Sequence, residues 1–575
     1  MRNKFKGRVR LIAIVVLCAA FILIGRLYVL QVMKGGEFRD RAEGQYVYGT
    51  TANFNRGNIF FTDKTGNKIS AATLEVGFTL AIIPSEIKNA GAAYEYLASK
   101  ITLDRDEFMR KASKENDPYE EIARRVPGDV GSEISEADIP GVRLFRERWR
   151  VYPGSTVAAH SIGFVAYGDD GKTVEGRYGL EKFYNEVLEK PNTGLYVNFF
   201  AELFANLQSG LFTGGDRPGA DVVTSIEPTV QAFAEHILDQ YGSEWNPDDS
   251  GIVILNPKTG EVVALAARPS YDPNNLNDVD PRAFTNPITE KVYEFGSIMK
   301  PLTMAAALDA GVVSRETTYN DRGYAIYDGS RINNWDLKGR GVVSMQEVLS
   351  QSLNTGVAFA VEQMGTDTFR DYLEKFGLRE ETGVDLPGEA APLTANLDSP
   401  RMIEYATASF GQGVAVTPIA MTRALATLAN HGLVPSPHIA TKLEYPGGLD
   451  KKLGWTIDRR AISEEASDTL TRMLVEVVDT ALRNGSVKIP ELSVAAKTGT
   501  AQIAREGARG YYDDRYLHSF FGYFPAYEPR FLVFLYAVAP KGAKYASETW
   551  TSPFMESVRF LVNYYDIPPD RAATE

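Results

Sequence analysis

Ser297 and Lys300 stand three residues apart, and residues 301–308 after them are rich in good helix formers. On a helix this spacing puts Lys300 one turn above Ser297 on the same face. A serine hydroxyl is a poor nucleophile until a base takes its proton. A lysine held out of water beside other cations sheds its own proton near neutral pH and can act as that base. Ser297 at a helix start also turns its backbone N–H toward a reacting carbonyl, which makes half of an oxyanion hole. The chemistry expected of the pair is acyl transfer through a serine ester. Pro301 agrees with a helix that starts close to Ser297, because proline is tolerated in the first turn.

Spacing alone is a weak signal. Ser85 and Lys88 repeat it and read as surface. Lys-Thr-Gly occurs at 64–66, 258–260 and 497–499, and the first two read as turns in which glycine supplies a positive φ. Order separates the candidates. Ser297 and Lys300 come first, then Ser352-Leu353-Asn354, then Lys497-Thr498-Gly499-Thr500, with domain-sized gaps between them. Ser352 offers a hydroxyl that relays a proton between Lys300 and a leaving amine. Asn354 offers an amide to orient Lys300 and to bond substrate backbone. Lys497 brings fixed positive charge, which favours a deprotonated Lys300 and attracts a substrate carboxylate. Residues 493–496 form a short apolar run of β type, and a strand ending in 497–500 can take a peptide as an added edge. Thr498 and Thr500 would face the substrate carboxylate and alternate with Gly499, where only bare backbone fits. The Thr500 N–H would complete the oxyanion hole. The catalytic candidates are thus Ser297, Lys300, Ser352, Asn354 and Lys497, with Thr498, Gly499 and Thr500 binding substrate. No metal or cofactor is expected.

These residues need elements to hold them. Residues 227–240 have helical period, with Val230, Phe233, Ala234 and Ile237 on one face. Residues 251–255 and 261–267 read as two strands joined by the turn 256–260. A strand-like start at 221–225 follows the glycine- and proline-bearing stretch 208–219, a linker or long turn. Upstream, short apolar runs such as 76–83 alternate with helical patches at 94–101 and 104–112.

A chain of 575 residues exceeds one core, and at roughly 100–200 residues per domain it suggests three or so units. The formal net charge of −13 repels phosphate backbones and argues against nucleic acid as a partner. Cys18 is the sole cysteine, so an intramolecular disulfide and a cysteine zinc site are excluded. The five histidines stand singly, none at the i, i+4 spacing of a metalloprotease helix. Arg2, Lys4, Lys6, Arg8 and Arg10 precede the apolar residues 11–32, interrupted only by Arg26. That length spans a bilayer if Arg26 snorkels, and the basic flank puts the N-terminus in the cytoplasm. No small-x-small site closes the run as a cleaved signal peptide would require, and Leu17 before Cys18 does not suit lipoprotein processing. The rest of the chain is then exported.

The sequence resembles the class B, monofunctional penicillin-binding proteins over nearly its whole length. The three ordered motifs are those of penicillin-binding proteins and class A β-lactamases. Residues 221–231, 256–264 and 268–274 look like that family's opening transpeptidase segments. Residues 409–413 through Thr417 and Pro418 are similar to its signature before a long helix at 419–430, and 497–502 and 518–526 look like its third motif and the strand that follows. Arg56 and Gly57, residues 152–160, and Gly179 to Glu181 resemble its membrane-proximal boxes. Departures are Phe60 to Gly66 where an Asp-Arg-Asn-Gly type of turn is usual, Leu353 where Ser or Asp is commoner, and Ser552-Pro553-Phe554. No glycosyltransferase signature lies between the anchor and residue 218.

The resemblance implies a multi-domain chain. Its parts are a cytoplasmic tail 1–10, a transmembrane anchor 11–32, an elongated α+β pedestal (dimerisation-type) domain 33–218, an α/β transpeptidase domain 219–565 of the penicillin-binding/β-lactamase-like type with an antiparallel sheet flanked by helices, and a tail 566–575. It implies a serine D,D-transpeptidase of the bacterial cytoplasmic membrane, single-pass, with its catalytic domain outside. Ser297 would cross-link peptidoglycan stem peptides and be blocked covalently by β-lactam antibiotics, alongside a polytopic membrane glycosyltransferase. The alternatives are a D,D-carboxypeptidase or β-lactamase, which share the first half-reaction, and a non-catalytic cell-wall-assembly scaffold or antibiotic sensor.

Overall fold

The computed structural model describes residues 54–114, 117–168, 171, 173–190, 219–455, 459–505 and 507–571. The expected tail 1–10 and anchor 11–32 lie outside the described residues, as do 208–218 of the expected linker. Among the described residues no helix is long and apolar enough to cross a membrane. Two compact units emerge, Met1–Phe54 with Glu75–Trp149, and Asn55–Leu74 with Arg150–Glu575. Residues on both sides of position 218/219 therefore share the larger unit.

In the smaller unit the strand Glu120–Pro127 runs antiparallel to residues 77–82. Helices Ala90–Ala98, Arg105–Ala112 and Gly128–Glu136 accompany it, around a core of Leu80, Ile82, Leu97, Phe108, Val126 and Ile134. The first helix begins four residues before the apolar pattern at 94–101, because Asn89 caps it by accepting from the Ala92 N–H. Asp104 caps the second in the same way, accepting from Glu107 N–H at 2.7 Å.

The larger unit is built on a five-stranded antiparallel sheet in the order Ala495–Ala504, Tyr511–Phe524, Phe531–Val538, Asp249–Leu255, Val262–Arg268. The expected hairpin at 251–267 is its last pair. Phe531–Val538 is buried along its whole length because both faces are covered. Phe531, Val533, Leu535 and Ala537 point to one core, with helices Pro228–Trp245 and Thr551–Tyr564. Leu532, Phe534 and Tyr536 point to the other, with helices Met299–Asp309, Asn354–Met364, Pro418–Leu428 and Glu464–Glu476. Period-two alternation thus feeds two cores from one strand, and each large apolar side chain so buried contributes roughly 1.5–3 kcal/mol. This is the expected antiparallel sheet flanked by helices.

Helix ends follow local chemistry. Glu227 accepts from Val230 N–H at 2.6 Å and Pro228 occupies the first turn of Pro228–Trp245, which runs five residues past the sequence expectation and stops at left-handed Asn246. Thr417 and Pro418 start Pro418–Leu428 in the same manner. Asp221–Thr224 forms, as expected, but its parallel partner is Ile59–Thr62, more than 150 residues earlier.

Around that pairing lies a buried ionic cluster. Arg56 Nε donates to Glu181 Oε2 at 2.5 Å, and Arg150 Nε to Glu181 Oε1 at 2.6 Å, with all three side chains nearly inaccessible. Burial alone would raise the Glu181 carboxyl; Arg150 and Arg56 outweigh it and hold it below the ordinary range. Arg150 Nη1 also donates to Gly57 O at 2.7 Å, so the cluster ties residues 56–57 to 150 and 181. Glu181→Gln leaves two buried guanidiniums without a counter-charge and is expected to cost about 3–5 kcal/mol. A lowered denaturant midpoint checks this; an unchanged midpoint means the cluster does not hold the unit.

Candidate active site

Ser297 lies in the single 3₁₀ turn Gly296–Ile298, directly before helix Met299–Asp309, and is half-buried. Pro301 falls in the first turn of that helix. Gly296 has φ +63°, and a Cβ there would stand 2.7 Å from the Thr500 carbonyl oxygen. Only glycine lets the Ser297 turn lie against the strand Ala495–Ala504.

Lys300 is wholly inaccessible. Its Nζ donates to the Ser352 carbonyl at 2.6 Å and to the Ser352 hydroxyl at 3.0 Å. Lys497 reaches the same hydroxyl from the strand at 3.1 Å and donates to Thr498 O at 3.0 Å. Burial pushes the Lys300 ammonium well below its usual range, and the Lys497 charge pushes it further. Burial lowers Lys497 to about 8. No carboxylate among the described residues bonds to either nitrogen, so nothing offsets these shifts. A hydroxyl can donate or accept, so Ser352 can pass a proton once Lys300 is neutral.

Ser352 holds φ +56°, a left-handed conformation that costs a non-glycine residue about 1–3 kcal/mol. That turn points its carbonyl and its hydroxyl at one ammonium. Leu353 is fully buried in the core, pointing away from the site as its neighbours require. Asn354 departs from expectation. Its amide nitrogen donates to Asn333 O at 2.9 Å, pinning the strand Ser330–Asn333 to the start of helix Asn354–Met364, while the Lys300 Nζ donates to Ser352 instead of to the Asn354 amide oxygen. Lys300 needs no amide to orient it, because the Ser352 backbone does so.

Lys497 to Thr500 lie on Ala495–Ala504, at the edge of the sheet. Thr498 and Thr500 are half-buried and Gly499 is buried between them. A Cβ on Gly499 would meet the Phe295 carbonyl oxygen at 2.6 Å and run into the Ser519 hydroxyl. The sequence reading missed that serine. Ser519 Oγ shares its proton between Phe295 O at 2.9 Å and Gly499 O at 3.3 Å, fastening the Ser297 turn to the edge strand. The available signal was a small polar residue amid the apolar run 517–521. Thr500 Oγ1 accepts from Ala546 N–H at 3.0 Å and keeps its own proton to give. Trp335 was missed too. Its indole N–H donates to Gln351 O at 3.1 Å, and its ring meets Tyr545 edge-on at 5.6 Å, linking the Ser352 side to the Thr500 side.

The rejected look-alikes lie on the surface. Ser85 and Lys88 are exposed. Lys64 to Gly66 and Lys258 to Gly260 are turns whose glycines have φ +87° and +84°. His160 and His518 are buried and driven down to about 4 by that burial, so both are neutral. Among the described residues His431, Glu464 and Asp468 bring donor atoms within 4.8 Å of one another. The His431 Nδ1 distances of 3.9 and 3.4 Å to the two carboxylates are those of a surface ion pair.

Comparison with known proteins matches residues 250–557 to the penicillin binding protein transpeptidase domain and residues 51–195 to the penicillin-binding protein dimerisation domain. Stage V sporulation protein D of Bacillus subtilis is 29% identical over 94% of the chain and 82% of its own length. Peptidoglycan D,D-transpeptidase FtsI of Escherichia coli K12 is 27% identical over 100% of the chain and 94% of its own. The fold also matches penicillin binding protein 3 of Mycobacterium tuberculosis complexed with ampicillin, with a TM-score of 0.69 and 22% identity over 91% of this chain and 98% of that one.

The two lysines fix a pH dependence. Acylation of Ser297 by a carboxylate-bearing thioester is expected to rise with pH as Lys300 sheds its proton. It is expected to fall again through about pH 8, where Lys497 loses its charge. Stopped-flow rates measured from about pH 5 to about pH 9 check this; a flat profile removes Lys300 as the base.

Proposed function

We propose, for a chain that belongs to the penicillin-binding protein transpeptidase family, that Ser297 is the nucleophile of a peptidoglycan D,D-transpeptidase. The observation that carries the assignment is one hydroxyl, Ser352 Oγ, shared by two buried lysines with no carboxylate bonded to either among the described residues. In the first half-reaction Ser297 Oγ attacks the carbonyl of the penultimate D-Ala of a stem peptide and gives its proton to neutral Lys300. The backbone N–H groups of Ser297 and Thr500 hold the oxyanion, a contribution worth about 10²–10³ in rate per donor. The C–N bond breaks, and the proton returns through Ser352 to the leaving amine of the terminal D-Ala. Lys497, Thr498 and Thr500 hold the terminal carboxylate, with the peptide laid along the bare edge of Ala495–Ala504. In the second half-reaction the amine of a neighbouring stem attacks the serine ester. Its proton passes by way of Lys300 to Ser297 Oγ as the ester C–O bond breaks and the new amide forms, which leaves Ser297 and neutral Lys300 as they began. Asn354 keeps a positioning role at the Ser352 turn. A β-lactam enters the first half-reaction as an acyl donor whose amine cannot leave.

The setting extends the reading. Five basic residues before the apolar run 11–32 support a single-pass anchor with the catalytic unit outside the cytoplasmic membrane. Glycan strands then come from a separate polytopic membrane glycosyltransferase, since no such signature precedes residue 218.

Labelling with a fluorescent penicillin tests the assignment. A long-lived adduct is expected on Ser297 by peptide mapping, absent from Ser297→Ala and from Lys300→Ala. Rapid turnover of the drug would mark a hydrolase, and folded wild type without adduct would reject the nucleophile. The labelled protein is expected in the membrane fraction, and in the soluble fraction once residues 1–32 are deleted; membrane retention of the shortened chain would refute the single anchor.

A further inference from the structure

His518 stands opposite Thr500 in the ladder between Ala495–Ala504 and Tyr511–Phe524. Residues directly opposite on antiparallel strands share a face of the sheet, so both side chains rise toward residues 544–549. His518 is wholly inaccessible, and the motif chemistry makes no use of it.

Its ring is bonded at both nitrogens. Nε2 lies 3.1 Å from Lys544 O, and Nδ1 lies 3.0 Å from the Thr549 hydroxyl. A carbonyl oxygen only accepts, so Nε2 carries the ring proton. Burial lowers the imidazole to about 4 and leaves it neutral, so Nδ1 is an acceptor. The Thr549 hydroxyl gives its proton to Nδ1, since its other acceptor, Ala546 O, is farther away at 3.4 Å. One ring therefore holds residues 544 and 549 together.

Between those two points stands Ala546, whose N–H donates to Thr500 Oγ1 at 3.0 Å. Glu548 steadies the start of the segment, its Oε2 accepting from Lys544 N–H at 3.1 Å and from Tyr545 N–H at 3.0 Å. A hydroxyl has one proton and two lone pairs. With a lone pair facing Ala546, the Thr500 proton must point away from the segment. Among the described residues it bonds to no acceptor, so a substrate is the partner left to it.

We propose that His518 is a positioning residue for recognition of the substrate's terminal carboxylate, clamping residues 544–549 so that Ala546 N–H aims the Thr500 hydroxyl into the site. This rests on the reading of Thr500 as a contact to that carboxylate. His518 itself bonds to none of Ser297, Lys300 and Ser352. It acts on substrate selection and not on the proton transfers.

The test uses the full-length chain and two thioester acyl donors that differ only in the leaving group, which ends in a carboxylate in one and in a primary amide in the other. Wild type is expected to favour the carboxylate donor in kcat/KM for acylation. Thr500→Val is expected to cut that preference by about ten- to a hundredfold, the worth of a hydrogen bond to a charged group. His518→Phe keeps a ring and removes both of its bonds. It is expected to cut the preference by about three- to tenfold, the worth of one neutral hydrogen bond, and to add nothing in the Thr500→Val background. Each preference is a ratio within one protein, so any loss of folded enzyme cancels. If His518→Phe does not fold, Thr549→Val frees the same segment with the ring in place and is expected to lower the preference in the same sense. A preference that survives the clamp variant overturns the inference. A further cut on adding that variant to Thr500→Val does so too, because His518 then acts by a route other than Thr500. A wild-type preference near one, or one that Thr500→Val leaves intact, overturns the reading of Thr500 and the inference with it.

Discussion

Two ammonium groups, Lys300 and Lys497, are buried against one hydroxyl with no acid partner among the described residues. Much of the surrounding architecture serves that arrangement. A buried lysine without a counter-ion favours its neutral form, and a neutral amine beside a serine is a base. Keeping it so demands that water and carboxylates stay out, which requires a continuous wall. Helix Met299–Asp309 supplies it on one side, with Met299 to Ala307 all buried. The edge strand supplies it on the other. Any acid placed in contact would restore the ordinary pKa and remove the base.

The second requirement is closeness. Three elements distant in sequence converge within hydrogen-bond reach, and at each junction a side chain has been omitted or reduced. Gly296 and Gly411 let the Ser297 turn pass its neighbours, and Gly499 lets the strand reach the Phe295 carbonyl. Ser519 then fills the one remaining gap with a hydroxyl that bonds both carbonyls. Glycine and serine act here as a fitted pair, since a methyl group at 499 would occupy the space that the Ser519 oxygen uses.

Much of this was legible in the sequence because motif chemistry and local periodicity are short-range. The serine turn before its helix, the buried Leu353, the alternation at Thr498, Gly499 and Thr500, and the 249–268 hairpin all follow from neighbours in the chain. What escaped depends on partners far away. Asn354 was assigned to Lys300, yet the nearest acceptor for its amide is the backbone of Asn333, brought there by a hairpin that the sequence does not announce. Asp221–Thr224 was read correctly as a strand, but its pairing with Ile59–Thr62 joins segments on either side of the expected pedestal boundary. A period of two says which residues are buried and never says which strand lies alongside.

The strand Ala495–Ala504 pairs with a neighbouring strand along one side only, at the margin of an otherwise well-covered sheet. Most proteins blunt such a margin with proline, a bulge or outward charge, because a bare edge recruits other chains. Here the margin carries a register shift between Gln502 and Ala504. Trp335 and Tyr545 meet edge-on near one end of it, and residues 392–396 and 398 share a cavity wall with Gln502 to Ala504 at the other. An edge open to a peptide is, by the same geometry, open to another chain. Mutations that open those flanks trade solubility for access, even when every catalytic side chain stays in place.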